Sequence, residues 1–238
     1  MNDAAEVWVY LSASPLLHLT MTLVAFQAGD LAYRRSGGHP LLNPVMIAVL
    51  LLSGILLASG TDYDIYFEGA QFVHFLLGPA TVALAIPLYN QFRAIRKSAA
   101  ALLASLALGS LSAAGSAGLI AWWMGAGADL IASLAPKSAT TPIAMGVAEQ
   151  LGGLPSLTAA LVIMTGILGA AFGPWLLDLV RVRDEAARGL ALGVASHGIG
   201  AARALQSSET AGAFAGVAIG VNGLLTAALA PLIWRSLF

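Results

Sequence analysis

Pro136-Lys137-Ser138-Ala139-Thr140-Thr141-Pro142 and Ser196-His197-Gly198-Ile199-Gly200, with Arg203 just beyond, decide how this chain folds. Both stretches are polar and break helices, and both interrupt apolar sequence. A cation, hydroxyls and freed backbone groups at membrane depth are costly, so such breaks mark binding sites by default.

The surrounding sequence sets that depth. The 238 residues are 58% hydrophobic and only 10% charged, against roughly 25% charged for an average soluble domain. Residues 7–29, 36–61, 69–92, 98–128, 150–177 and 210–234 contain no Asp, Glu, Lys or Arg, and each run exceeds the roughly 20 residues that cross a bilayer core. The expected fold is an all-α polytopic membrane protein with about six full spans. The spans are placed at residues 14–33, 43–59, 69–89, 97–125, 155–180 and 211–234, all in a single membrane domain with segments 128–151 and 185–209 discontinuous. Gly78-Pro79 with Pro87, and Gly173-Pro174, predict interruptions in the third span and in 155–180.

Composition excludes several functions. A net charge of −1 with no basic cluster gives no footprint for nucleic acid. The absence of cysteine removes disulfides, thiolate catalysis and thiolate-bound metal. The first apolar run is too long for the h-region of a cleaved leader, which makes it a retained helix. No polar connection is long enough to form a soluble domain. Four scattered histidines lack ligand spacing, so neither a metal nor a cofactor is implied. Ser196 and His197 are adjacent, and no Gly-x-Ser-x-Gly elbow exists, which speaks against a hydrolase and against an enzyme generally.

Charge bias orients the spans. Arg34 and Arg35, then Arg93, Arg96 and Lys97, then Arg181 and Arg183 mark one side, whereas Asp3, Glu6, Asp62, Asp64, Glu68 and Asp129 mark the other. The N-terminus is therefore expected outside an inner (plasma) membrane. Only one crossing, 155–180, then fits between the outer end of 97–125 and the inner Arg181/Arg183 loop. Segment 128–151 must return to the side it entered, as a re-entrant hairpin of two half-spans with its tip near the midplane. Segment 185–209 has the same layout from the inside. Its sequence leaves open whether it turns back or continues across as a broken helix. Laying Pro79 on Pro136 puts Thr81 on Ser138 and Ile86 on Ile143, an echo consistent with an internal repeat of the kind transporters use.

In the first break, Lys137 lies among the hydroxyls of Ser138, Thr140 and Thr141 at the start of a helix. Free backbone N–H groups and the helix dipole there favour an anion such as a small carboxylate. The competing reading is that a hydroxyl caps the helix while Lys137 snorkels, yet a hairpin tip at mid-depth is far from either interface. In the second break, Ser196, His197 and Gly198 offer a hydroxyl, a proton relay and close backbone approach. Arg203 offers a bidentate carboxylate ligand. The alternative for His197 is a satisfied histidine in a packing joint. Glu149 is a candidate proton or cation partner or a plain interfacial charge. Asn222 and Thr81 are candidate lining residues, or else interhelical hydrogen-bonding groups.

Several of these residues also carry a family resemblance. The quoted stretches are His74-Phe75-Leu76-Leu77-Gly78-Pro79-Ala80-Thr81, residues 133–145, Gly152-Gly153-Leu154-Pro155-Ser156-Leu157-Thr158-Ala159, Ala187-Arg188-Gly189-Leu190-Ala191-Leu192-Gly193 with 196–204, and Asn222-Gly223-Leu224-Leu225-Thr226-Ala227. In them the chain resembles the LrgB/CidB family over nearly its whole length. The resemblance implies two roles. One is a holin- or antiholin-like protein that modulates murein hydrolase activity and lysis with a small LrgA/CidA-type partner. The other is carriage of small carboxylates, glycolate and glycerate as in the plastidial relative, or pyruvate as linked to bacterial members. A holin requires neither half-span hairpins nor a buried Lys137 and Arg203, whereas two opposed polar breaks are what a carboxylate carrier uses. The expected function is therefore a secondary transporter of small monocarboxylates, coupled to protons or another ion, with the antiholin-like role as the alternative. Substrate and lipid bilayer are the expected partners, a small LrgA/CidA-type protein and a homo-oligomer are compatible additions, and nucleic acid is excluded.

Overall fold

The computed structural model describes residues 14–39, 42–76, 79, 82–83 and 85–237. Among the described residues every regular element is a helix, and the chain forms two compact units, Met1–Ala83 and Leu84–Phe238.

The first unit holds α1 (Pro15–Arg35), α2 (Pro44–Ser59) and α3 (Tyr63–Phe75). Pro15 and Pro44 open their helices with a φ already suited to the first turn. Asn43 caps α2 by accepting from Val45 N at 3.0 Å and Met46 N at 3.3 Å. Gly60 ends α2 in the left-handed region at φ 65°, which a Cβ would disfavour. Small residues let α1 meet its neighbours: a Cβ at Gly29 would sit 2.6 Å from Pro44 O, and one at Gly69 would collide with Pro15 O. On the α1–α3 seam His18 meets Tyr66 edge-on at 5.9 Å, and the Thr22 and Tyr66 hydroxyls lie 2.9 Å apart.

The second unit holds α4 (Ala85–Asn90), α5 (Phe92–Lys97), α6 (Ala99–Trp123), α7 (Ala128–Leu134), α8 (Thr141–Gln150), α9 (Pro155–Leu179), α10 (Glu185–Ser207) and α11 (Glu209–Leu237). On α6 the residues Leu102, Leu106, Ser110, Ala114 and Ala117 recur every three or four positions and are buried, which is the core-facing stripe of a helix. Ser110 Oγ meets Thr226 Oγ1 of α11 at 3.2 Å. Leu106 packs with Val194 and Ala218.

Helix α10 is not straight. His197 sits at φ 41°, ψ −133°, outside the helical region. Beyond it the chain doubles back, so that a Cβ at Gly200 would collide with Leu192 O. Ser208 Oγ donates to Glu185 Oε2 at 2.9 Å, although 23 residues of unbroken helix would hold those two positions about 34 Å apart. The inward limb runs 185–196 and the return limb 198–207. Helix α11 then lies along the inward limb, with Gly189 and Gly193 against the backbone of Ala211 and Ala215.

Helices α7 and α8 form the second hairpin. Ser133 Oγ donates to Asp129 O at 2.7 Å and accepts from Leu154 N at 2.8 Å, while Thr158 Oγ1 donates to Ser133 O at 3.1 Å. The chain therefore leaves along α7, turns at 135–140, and comes back along α8 to Gly153, which abuts Ser133 N.

Helix α9 is the rail on which both hairpins are laid. Ser133 meets it at Leu154 and Thr158, and Ala139 packs on Val162. From the other end, Arg188 of α10 donates to Asp178 at 2.8 Å, Leu192 lies over Gly173, Ser196 over Gly169, and His197 reaches Val162 O. The hairpins thus run toward each other along α9, and their tips meet at Val162–Gly169.

Some sequence expectations differ from the structure. Six spans are expected; among the described residues three helices are long and apolar enough to cross a membrane, Ala99–Trp123, Pro155–Leu179 and Glu209–Arg235. α2 is apolar but has only 16 residues, bounded by Asn43 and Gly60. The span expected at 69–89 begins instead at Tyr63, because Asp64 stabilises a helix first turn rather than ending one. That helix ends at Phe75, with α4 starting at Ala85. The break expected at Gly173-Pro174 is absent: α9 is continuous through Pro174, and Gly173 serves close packing against Leu192 instead. Gly78, part of the interruption expected in the third span, and Thr81, one of the aligned positions of the repeat, lie outside the described residues.

Candidate functional site

The meeting point of the tips is held by three hydrogen bonds to backbone. Asn222, in the middle of α11, donates through Nδ2 to Ser138 O of the α7–α8 turn at 3.0 Å and to Val194 O of α10 at 3.5 Å. His197 Nε2 pairs with Val162 O at 2.9 Å. Each break frees carbonyls that a continuous helix would satisfy, and a polar side chain from a third element takes them up. Asn222 is 1% exposed, so the pin is shielded from water.

Beside this joint lies a cleft of about 720 Å³ between α9, the first tip and the inward limb of α10. Three polar residues are part of its lining, Lys137, Thr165 and Ser196. The Lys137 side chain is half-buried and makes no hydrogen bond or ion pair to a described residue. Ser196 is fully buried, and its Oγ has no partner among the described residues. The Asn222 Oδ1 is likewise unpaired. A buried hydroxyl left without a partner costs about 1–3 kcal/mol, and Ser196 shares the lining of this cleft with Lys137. The remaining walls are apolar, from α9 (Leu161, Met164, Leu168, Phe172) and α10 (Ala191, Leu192). No cluster of three or more His, Cys, Asp or Glu is present among the described residues.

The sequence-predicted residues divide accordingly. Lys137 and Ser196 face the same cleft. Ser138 and Asn222 are joined, but through the Ser138 carbonyl rather than its hydroxyl. His197 is buried at the reversal and bonds to α9 instead of lining the cleft. Thr140 and Thr141 are half-buried at the start of α8, where Thr140 makes no side-chain capping bond. Gly198 and Glu149 are exposed. Arg203 is half-buried on the return limb, six residues past the turn, and does not line the cleft. Thr81 lies outside the described residues.

Sequence reasoning missed the part played by α9. A Cβ at Gly166 would sit 2.7 Å from His197 Cε1, and one at Gly169 would overlap Ser196 Oγ. Gly166, Gly169 and Gly173 recur at helical spacing on one face, and that small-residue stripe was the available signal for close approach of another segment.

These features define an all-helical membrane protein in which two hairpins, laid head to head along a shared helix, flank a cleft lined by Lys137 and Ser196. The model of the LrgB-like family matches residues 22–236. The chain belongs to that family. It is 36% identical to the Bacillus subtilis protein YwbG over 92% of this chain and 96% of that one. It is 34% identical to a Haemophilus influenzae protein over 83% and 86%. To the antiholin-like protein LrgB of Bacillus mycoides it is 32% identical over 92% and 95%. No solved structure matches it.

Proposed function

We propose that the protein is a secondary transporter of small monocarboxylates of the glycolate, glycerate or pyruvate type, working by alternating access. The observation that carries this is the joint presence of Lys137 and the unpartnered Ser196 hydroxyl in one cleft where two helix breaks meet. In this reading both hairpins are re-entrant, from opposite faces of an inner membrane whose N-terminal side is outside. The Lys137 ammonium holds a carboxylate, and the Ser196 hydroxyl, buried against Gly169 in this state, becomes a donor to one of its oxygens when the α10 tip moves off α9. The Asn222 and His197 bonds keep the tips registered while one hairpin or the other moves off α9 to admit solvent. Coupling to a proton or another ion completes the cycle.

Saturable uptake of labelled pyruvate or glycolate into proteoliposomes is the test. Lys137→Gln is expected to reduce uptake at least tenfold without loss of folded protein. Absence of saturable uptake by the folded wild-type protein sinks the proposal.

A second reading rests on the relatives' names, which support it more directly than they support transport. As an antiholin-like protein, the chain would modulate lysis through a small LrgA-type membrane partner. Size-independent dye leakage from the same liposomes, or an effect seen only with the partner present, supports this reading.

A further inference from the structure

The cleft is too large and too oily for a small hydroxy acid alone. At about 30 Å³ for each water-sized unit, an acid of six heavy atoms occupies roughly 180 Å³. The cleft offers about 720 Å³. Its polarity is also one-sided. Lys137 joins Leu134 and Leu161 near the first tip, and Ser196 sits over Gly169. Past that point toward the C-terminal end of α9 the lining is Leu168, Phe172, Leu176 and Leu177, faced by Ala191 and Leu192. Leu168 and Leu176 remain 48% exposed, so this trough is open along its flank. An anion-holding head followed by an apolar trough matches an amphipathic ligand, with the charge at Lys137 and a hydrocarbon chain along α9.

We infer that the cleft binds monocarboxylates bearing a medium-length apolar chain, and binds them more tightly than two- or three-carbon acids. This rests on the transporter reading of the same cleft and deepens it by naming a substrate class. The carboxylate meets Lys137, and each methylene buried against Phe172, Leu176 and Ala191 adds to affinity. Full burial strengthens binding about fourfold per methylene, and an open trough realises about half of that free energy, or roughly twofold.

The experiment is equilibrium binding to the purified full chain in lipid nanodiscs, with pyruvate, butyrate, hexanoate and octanoate, and 1-octanol as the uncharged control. Empty nanodiscs are subtracted. Affinity is expected to rise at least tenfold from butyrate to octanoate. Lys137→Gln is expected to lose octanoate binding while leaving 1-octanol uptake unchanged. Ala191→Phe, which fills the trough, is expected to weaken octanoate at least tenfold more than pyruvate. Thermal unfolding checks that each variant is folded. If pyruvate binds but affinity is flat or falls with chain length, the inference is overturned and the small-acid carrier stands. If octanoate binding rises with chain length but is untouched by Lys137→Gln, it is partitioning, and the inference is overturned. If no carboxylate binds, both readings fall.

Discussion

Replacing His197 by glycine and by alanine separates a hairpin from a helix by the sign of one difference. His197 holds φ 41°, ψ −133°, a region nearly closed to residues with a Cβ, where the strain is about 1–3 kcal/mol. Both substitutions delete the Nε2 bond to Val162 O, which in a membrane interior is worth about 0.6 kcal/mol on average. Alanine keeps the strain and glycine removes it. His197→Gly is therefore expected to be more stable than His197→Ala by about 1–2 kcal/mol. For a chain of this size that corresponds to roughly 2–8 °C in melting temperature. If residues 185–207 formed an uninterrupted helix, the order would reverse, with glycine about 1 kcal/mol worse than alanine. The assay is unfolding of the purified variants in matched detergent, by heat and by denaturing detergent. Alanine equal to or more stable than glycine refutes the reversal at His197 and with it the meeting of the tips.

Other perturbations bear on the same geometry. Glu185→Cys with Ser208→Cys, in a chain that has no other cysteine, is expected to be bridged by a short bis-maleimide, detected by loss of free thiol, since the two side chains meet at the hairpin base; failure to bridge would contradict the closed base, because an unbroken helix holds the positions about 34 Å apart. Gly169→Ala places a Cβ on Ser196 Oγ and is expected to destabilise by about 1–3 kcal/mol, while Gly146→Ala on α8, with nothing within 4 Å, is expected to be neutral or stabilising by up to about 1 kcal/mol. Equal melting temperatures for these two variants would undercut the packing of α10 on α9. Asn222→Leu leaves Ser138 O without its donor and is expected to cost about 1–2 kcal/mol. It should also raise proteolytic cleavage near 135–140, and unchanged protection there would mean the two hairpins are not pinned through α11.

The breaks themselves were legible in the sequence because proline, glycine and hydroxyl residues within apolar runs have few structural uses. The Lys/Arg bias around Arg34, Arg93 and Arg181 indicated that the two segments point in opposite directions, and their opposed course along α9 agrees with this. What residue letters could not give was any partner that is a carbonyl. Val162 O and Ser138 O are acceptors that every residue possesses, so neither the seat of His197 nor the Asn222 pin has a sequence signature. Arg203 was drawn to the site by its proximity in sequence to His197. The reversal turns that proximity into distance, since the return limb carries Arg203 roughly 9 Å from the tip at 1.5 Å per residue. The ends of the second helix were legible too, because Asn43 and Gly60 are cap residues, and the expected 43–59 nearly coincides with Pro44–Ser59.

The central claim is that a carboxylate occupies the cleft between the tips, beside Lys137. It is tested most directly by introducing Ala195→Cys, an exposed cleft-lining position, and following alkylation of its thiol by a small reagent in proteoliposomes. Pyruvate or octanoate is expected to slow the reaction saturably, and Lys137→Gln is expected to abolish that protection. An alkylation rate indifferent to carboxylate, in protein that still transports it, would place the substrate elsewhere and contradict the account.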